Sequence, residues 1–372
     1  MKNIPFYSLD DLKLFFQDSK FKKIQLICGK KSFSKSGAEQ LISKVLKNKK
    51  IYFYFKKAPF PDFIELVQII QSVKKNRPDL ILAIGGGSVI DYAKIVNVFA
   101  EDFNEKELKS KILNSNYKIK KKFSHLAVIP TTAGSGAEVT SNAVIYIENT
   151  KYSVEAKELR PDNFFLVPNL ILKGNHTIKA SAGFDAIAQA LESIISKKSN
   201  TKSLFYAKKS LELSLNNFTN YIKKPNLINT KAMCLASNLS GEAINISKTT
   251  APHAVSYPFT SFYGISHGHA VSLTLNKFLV FNYLNIKHAN CDFDLKERYN
   301  IIFKLTKTNN IVSLEEYLKN LKKQTNLEDN FFKLGINIKE DFNKIISGVN
   351  SARLSNNPVN LNKKDIKEII CK

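Results

Sequence analysis

Leu80-Ile-Leu-Ala-Ile84 runs without interruption into Gly85-Gly86-Gly87-Ser88, and Val89 to Ala100 follows with apolar residues at helical spacing. A short apolar run bounded by turn residues reads as a buried strand, and the spacing after it as a helix. Glycines at such a strand-to-helix turn let backbone amides approach a ligand, and the positive end of the helix faces whatever anion sits there. Ser88 and Asp91 stand three apart, the spacing of a capping box, and so mark the expected helix start. The run is not GxGxxG, which excludes the standard Rossmann fingerprint. Taken alone, it also fits a glycine turn that merely caps a helix.

Outward from this stretch the same alternation repeats. Ile24 to Cys28, Ile51 to Phe55 and Leu126 to Ile129 read as further buried strands, with helical spacing at Gly37 to Leu46 and Phe63 to Lys74. Strands alternating with helices predict a mostly parallel sheet covered on both faces. A second glycine- and hydroxyl-rich loop, Ile129-Pro-Thr-Thr-Ala-Gly-Ser-Gly-Ala-Glu138, follows the next strand, with Ser135 and Glu138 again at capping spacing. Two such loops at the carboxyl ends of neighbouring parallel strands suit a diphosphate dinucleotide. From Ala182 the strand-like runs give way to helical patterns at Asp185 to Ser196, Ser203 to Asn217 and Thr230 to Ile246. We therefore expect an α/β domain over 1–170 and an all-helical domain over 171–372. Residues 301–372 are helical in pattern and rich in lysine and asparagine, with few chemically pointed side chains.

Composition narrows the function classes. The chain has 372 residues, 44% of them hydrophobic and 24% charged, which excludes a disordered chain or a disulfide mini-protein. A formal charge of +24 suggests a polyanion, yet only four of the 56 basic residues are arginine, the usual reader of bases and phosphates. The lysines are scattered, with Lys120-Lys121-Lys122 the longest block near the middle, and read as a solvated surface that also attracts small anionic ligands. No nucleic-acid partner is expected. Cys28, Cys234, Cys291 and Cys371 form no CxxC pair, which points to a reduced, cytoplasmic protein. The N-terminal MKNIPFYSLDDLKLFF breaks its apolar run with charges, unlike a signal peptide, and no apolar stretch approaches a membrane span.

A metal constellation is readable in the second half. In Gly183-Phe-Asp-Ala-Ile-Ala-Gln-Ala-Leu-Glu192, Asp185 and Gln189 stand four apart on one helix face, while His253 and His267 flank a loop-like segment, Pro258 to Ser266, with His269 close by. A carboxylate and two imidazoles suit iron(II) or zinc, with the amide oxygen a weak fourth ligand. The alternative is that Asp185 caps a helix and the histidines pack.

Four motifs in order, GGGSVIDYAK (85 to 94), IPTTAGSGAEVTS (129 to 141), GFDAIAQALES (183 to 193) and HAVSYPFTSFYGISHGHA (253 to 270), resemble the iron-containing, group III alcohol dehydrogenase family up to about residue 285. The resemblance implies a dinucleotide-binding α/β domain and an all-helical C-terminal domain, together of dehydroquinate synthase-like fold, with a catalytic metal in the cleft. It implies Asp185, His253 and His267 as metal ligands and the turn Gly85, Gly86, Gly87, Ser88 as the pyrophosphate site. Asp91, Lys94, Thr131, Thr132 and Ser135 match family positions around the cofactor. Gln189 stands where the family commonly has a third histidine ligand. Tyr257 stands where it often has a histidine near the nicotinamide, either to relay a proton or to fill space. The implied chemistry is a metal-assisted hydride transfer between NAD(P)H and an aldehyde, with His269, Tyr257 or water returning the proton.

Specificity can be read from two further stretches. After the first strand, Gly29-Lys30-Lys31 replaces the acid that NAD-preferring relatives carry, so Lys30 and Lys31 favour NADPH over NADH. In Ser247-Lys-Thr-Thr-Ala-Pro-His253, Lys248 with Thr249 and Thr250 can hold an anionic group beside the metal, or Lys248 is simply solvated. Gln189 together with KTTAPHAVSYP resembles the phosphonoacetaldehyde reductase subgroup. That resemblance implies reduction of phosphonoacetaldehyde to 2-hydroxyethylphosphonate. The alternatives are a general short-chain alcohol dehydrogenase and a dehydroquinate synthase-like enzyme that keeps its NAD. A homodimer is compatible with this reading.

Overall fold

Strands β1 (Lys23–Gly29), β2 (Lys50–Lys56), β3 (Leu80–Gly85), β4 (His125–Pro130) and β7 (Asn163–Phe164) pair in parallel in the order β2-β1-β3-β4-β7. The computed structural model describes residues 9–18, 20–101, 103–119, 121–148 and 150–371; residues 1–8 of the N-terminal stretch and Lys120 of the lysine block lie outside them. All six residues of β3 are buried, because helices cover both sheet faces. Side chains alternate across a strand, and here the alternation is complete. Ile27, Ile81, Ala83, Leu126 and Val128 pack with the helices Phe63–Asn76 and Gly87–Phe99. Leu26, Cys28, Leu82, Ile84, Ala127 and Ile129 pack on the other side with Leu12, Phe16 and Ile42. The expected parallel α/β sheet is therefore the one found.

Two local expectations fail. The helix after β3 starts at Gly87 with Gly86 as its N-cap and no side-chain cap, so Ser88 and Asp91 form no capping box. No helix begins at Ser135 either. After the turns of that loop the chain enters an antiparallel hairpin, β5 (Asn142–Ile147) with β6 (Thr150–Glu155), which the sequence reading did not anticipate.

The chain divides into two compact units, Met1–Thr132 with Gly136–Gly174, and Ala133–Ser135 with Asn175–Lys372. The second unit is helical throughout its described elements. At its centre the helix His176–Ile195 is buried on nearly every side from Lys179 onward, against the helices Thr201–Lys223, Leu227–Ser247 and His267–Leu284. Close approach needs small residues. A Cβ on Gly268 would lie 2.0 Å from the Ser181 carbonyl oxygen, and one on Gly183 would lie 2.5 Å from the Phe218 ring.

The segment from Pro258 is not a loop: the helix Ala251–Tyr263 runs through that proline. Proline offers no N–H to the carbonyl four residues back. The Ala254 carbonyl accepts from the Asn350 backbone N–H at 3.3 Å instead. Among the described residues no helix is long and apolar enough to cross a membrane.

Candidate active site

Asp185 projects from the buried central helix, His253 from the first turn of Ala251–Tyr263, and His267 opens the helix His267–Leu284. Their ligand atoms all lie within 4.8 Å of one another. His253 Nε2 is 3.2 Å from Asp185 Oδ1, and His267 Nε2 is 4.0 Å from the same oxygen. Asp185 and His253 are buried, whereas the His267 side chain is 36% exposed, so the cluster is open on the His267 side. One carboxylate and two imidazoles, converging and reachable, fit a divalent transition metal.

The residue that organises His253 was missed in the sequence. Glu192 is fully buried and lies seven residues beyond Asp185, two turns along the same helix face. Its carboxylate contacts His253 Nδ1 and accepts from the Thr250 N–H at 2.9 Å and the Thr250 hydroxyl at 3.0 Å. Burial pulls the His253 imidazole down, but Glu192 and Asp185 outweigh it and lift it to about 9. A carboxylate on the far ring nitrogen of a metal-binding histidine fixes its tautomer and orientation. The readable signal was an acid inside the apolar run Ala186 to Ile195. Thr250 thereby gives both its N–H and its hydroxyl proton to Glu192.

Three other residues singled out in the sequence find their places relative to this cluster. The Gln189 amide nitrogen lies 3.2 Å from Asp185 Oδ2, while its oxygen accepts from the Ser240 hydroxyl at 2.9 Å. Gln189 is thus a hydrogen-bond partner of the Asp185 carboxylate, with its oxygen turned away from it. The Gln189 amide nitrogen also lies 3.4 Å from the Ser135 carbonyl oxygen. His269 does not join the cluster, because two residues along a helix is about 200° of rotation from His267. Its Nε2 lies 2.7 Å from the Glu328 carbonyl oxygen. Tyr257 does join: its buried ring stacks on His267 with centroids 5.6 Å apart and planes 16° from parallel. Burial raises its phenol to about 12 against an opposing Arg353, whose guanidinium is hydrogen-bonded to it. Arg353 was also missed, although an arginine in so lysine-rich a chain was a signal. Lys248 is half-buried at the carboxyl end of the helix Leu227–Ser247, with φ +60° and ψ 176°.

The glycine-rich turn after β3 lies in the first unit. Gly85 ends β3 and the helix Gly87–Phe99 begins at once, its first turn uncapped by any side chain. An uncapped helix N-terminus leaves amide groups for an anion. A Cβ on Gly86 would come 3.2 Å from Thr132 Oγ1, and the Thr131 N–H donates to the Gly85 carbonyl at 2.9 Å, so the loops after β3 and β4 are bound together. These donors fit a dinucleotide's diphosphate. Asp91 and Lys94 do not belong with them. Lys94 is fully buried and Nζ donates to the Thr140 carbonyl and hydroxyl and the Asn142 carbonyl at 2.8 to 3.0 Å, which uses all three of its protons. Burial lowers it to about 8, against the pull of Asp91 and Glu138. Burial raises the Asp91 carboxyl to about 6, against the opposing Lys94 ammonium and the Val144 N–H. Both residues anchor the start of the β5–β6 hairpin. Lys30 and Lys31 are exposed in the first turn of the short helix Lys30–Lys35 that follows β1.

The family model for iron-containing alcohol dehydrogenase matches residues 6–168, and the model for the Fe-containing alcohol dehydrogenase family C-terminal domain matches residues 179–372. The chain is 30% identical to the 4-hydroxybutyrate dehydrogenase of Clostridium kluyveri, over 54% of this chain and 54% of that protein. It is 28% identical to the phosphonoacetaldehyde reductase of Streptomyces viridochromogenes, over 58% of this chain and 56% of that one. The matches thus span about half the length of these curated relatives. Among solved structures, the sulfoacetaldehyde reductase of Bifidobacterium kashiwanohense in complex with NAD+ superposes with a TM-score of 0.85 at 23% identity, covering 99% of this chain and 96% of that one. At that identity the likeness establishes the fold.

Proposed function

Because the chain belongs to the iron-containing alcohol dehydrogenase family, we propose that it reduces a small anionic aldehyde with NADPH, phosphonoacetaldehyde to 2-hydroxyethylphosphonate being the leading case. The observation that carries the reductase reading is the Asp185, His253 and His267 cluster backed by Glu192. In this reading the aldehyde takes a hydride from the nicotinamide and a proton from solvent, leaving the alcohol and NADP+. Asp185, His253 and His267 hold a divalent metal, iron or zinc. When bound, that metal supplies the Lewis acidity that stabilises negative charge developing on the substrate oxygen.

The chain's own residues do the rest. Glu192 keeps a proton on His253 Nδ1, so that Nε2 is the ligand atom. Tyr257, held by Arg353, covers the His267 ring. The uncapped first turn after Gly85-Gly86, with Thr131 and Thr132, holds the cofactor's diphosphate. Lys30 and Lys31 favour a 2′-phosphate, and so NADPH over NADH. Lys248 holds the anionic end of the substrate.

Two of the reported relatives support an anionic substrate, since their names carry a carboxylate and a phosphonate, whereas 1-propanol dehydrogenases matched at 28 to 29% identity support the uncharged alternative. The test is a panel of aldehydes with NADPH and NADH on metal-analysed protein, with phosphonoacetaldehyde beside uncharged propanal. Faster turnover of propanal leaves a general alcohol dehydrogenase. Absence of stoichiometric consumption of either NADPH or NADH with any aldehyde overturns the reductase reading itself.

A further inference from the structure

The helix Leu227–Ser247 ends in a conformation that side-chain-bearing residues avoid. Lys248 has φ +60° and ψ 176°, a region populated essentially by glycine alone. Among the described residues six other non-glycine residues have positive φ, two of them Arg77 and Lys307, whose ψ values of 64° and 39° put them in the ordinary left-handed helical well. A glycine at 248 would adopt the turn without strain. Keeping a lysine there implies that its side chain is used.

What holds the turn is visible. Asn356 is buried, and its amide nitrogen lies 2.9 Å from both the Ser247 and the Thr249 carbonyl oxygens, the two that flank Lys248. The same nitrogen is 3.0 Å from Ser196 Oγ, which itself donates to the Ser247 carbonyl at 2.6 Å. The Asn356 oxygen accepts from the Lys198 N–H at 3.3 Å, which fixes the amide's orientation. The Ser247 hydroxyl closes the arrangement, lying 2.8 Å from Ser193 Oγ and 2.9 Å from the Lys248 carbonyl oxygen. The strained residue is thus pinned on both sides by one buried side chain from the far end of the sequence. Two residues on, Thr250 is bonded to Glu192, so the turn is also tied to the group that orients His253.

We propose that Asn356 is a positioning residue for substrate selection: it holds Lys248 in its strained turn so that the ammonium meets the anionic end of the aldehyde. This rests on the anionic-aldehyde reading above. Arg353, three residues earlier, already reaches Tyr257, so the segment Asn350 to Asn357 serves the site at two points.

The experiment compares kcat/KM for phosphonoacetaldehyde and for propanal in the wild type, Lys248→Ala, Asn356→Ala and the double variant. The phosphonoacetaldehyde-to-propanal ratio is expected to fall about tenfold or more in each single variant, through KM, as befits a lost charged hydrogen bond. Adding Asn356→Ala to Lys248→Ala should lower it no further, because both act through one side chain. If Lys248→Ala leaves the ratio at its wild-type value, the anionic-substrate reading falls and this inference with it. If Lys248→Ala collapses the ratio and Asn356→Ala does not, the inference alone falls. Thermal midpoints decide the matter should Asn356→Ala fold poorly. The midpoint drop caused by Asn356→Ala should shrink in the Lys248→Gly background, where the turn needs no clamp. An equal drop, or failure of both proteins to fold, overturns the proposal.

Discussion

Replacing Glu192 by glutamine tests the most specific feature of the site. Glu192 is fully buried, with one oxygen taking the Thr250 N–H and hydroxyl at 2.9 and 3.0 Å and the other contacting His253 Nδ1. Glutamine has the same volume and keeps an oxygen for the Thr250 donors, so packing survives. The amide NH2 then faces His253 Nδ1, and a donor there forces the imidazole to carry its proton on Nε2. That nitrogen is the one aimed at Asp185 Oδ1, 3.2 Å away, and it becomes a poor ligand. Loss of such a supporting partner costs about 10- to 100-fold in metal affinity, equivalent to about 1.4 to 2.7 kcal/mol. Competition against a calibrated chelator, with metal content counted per chain, reads the affinity directly. Calorimetric NADPH binding and the thermal midpoint serve as controls, and neither should move far. A Glu192→Gln protein that folds and holds its metal within about twofold of wild type would refute the argument that Glu192 sets the His253 tautomer.

Three more expectations are open to simple measurement. Lys94→Met leaves the Thr140 and Asn142 carbonyls buried without their donor and Asp91 without its counter-charge, so urea denaturation should show a loss of about 3 to 5 kcal/mol. A variant that kept its midpoint but lost NADPH affinity would return Lys94 to the cofactor. In Gly268→Ala the new methyl lies 2.0 Å from the Ser181 carbonyl oxygen and 2.8 Å from Asp185 Cβ. The strain should cost about 1 to 3 kcal/mol and lower metal content with it, whereas a wild-type midpoint would mean the two helices part freely. Tyr257→Phe decides between relay and filler: with the phenol oxygen hydrogen-bonded to Arg353 and the ring stacked on His267, kcat should fall less than about tenfold. A loss of about a hundredfold or more is what a proton relay would show.

The sheet was legible because fully buried parallel strands are continuous apolar runs, and Leu80 to Ile84 and Leu126 to Ile129 are such runs. The hairpin's second strand was not, since Thr150-Lys-Tyr-Ser-Val-Glu155 buries only Val154 and has no apolar signature. Pro258 misled for a different reason. Local chemistry argues for a loop there, and a backbone N–H from residue 350 compensates for the missing hydrogen bond. The helix after β3 starts at Gly87 and not at the hydroxyl residue, because Gly86 takes the extended N-cap conformation and no side chain caps the first turn. Within the cluster, Asp185, His253 and His267 could be picked out by residue type, while His269 was drawn in by nearness in sequence, which a helix converts into opposite faces.

What remained hidden shares one cause. Hydrophobic periodicity reports which face of an element is apolar, and it is silent about polar side chains that point inward. Lys94, Glu192, Lys322 and Asn356 are all buried, yet each carries a side chain that a sequence reading assigns to the surface. Lys322 illustrates the rule away from the site: its ammonium bonds the Ser272 carbonyl, Asn276 and Asp329. Groups of this kind persist in a core only when every donor finds an acceptor, and those acceptors come from distant parts of the chain. The C-terminal stretch therefore looked chemically empty while supplying Asn350, Arg353 and Asn356. The +24 charge obeys the same logic: counting lysines locates a surface, and only the partners around a given lysine tell whether it is solvent, scaffold or site.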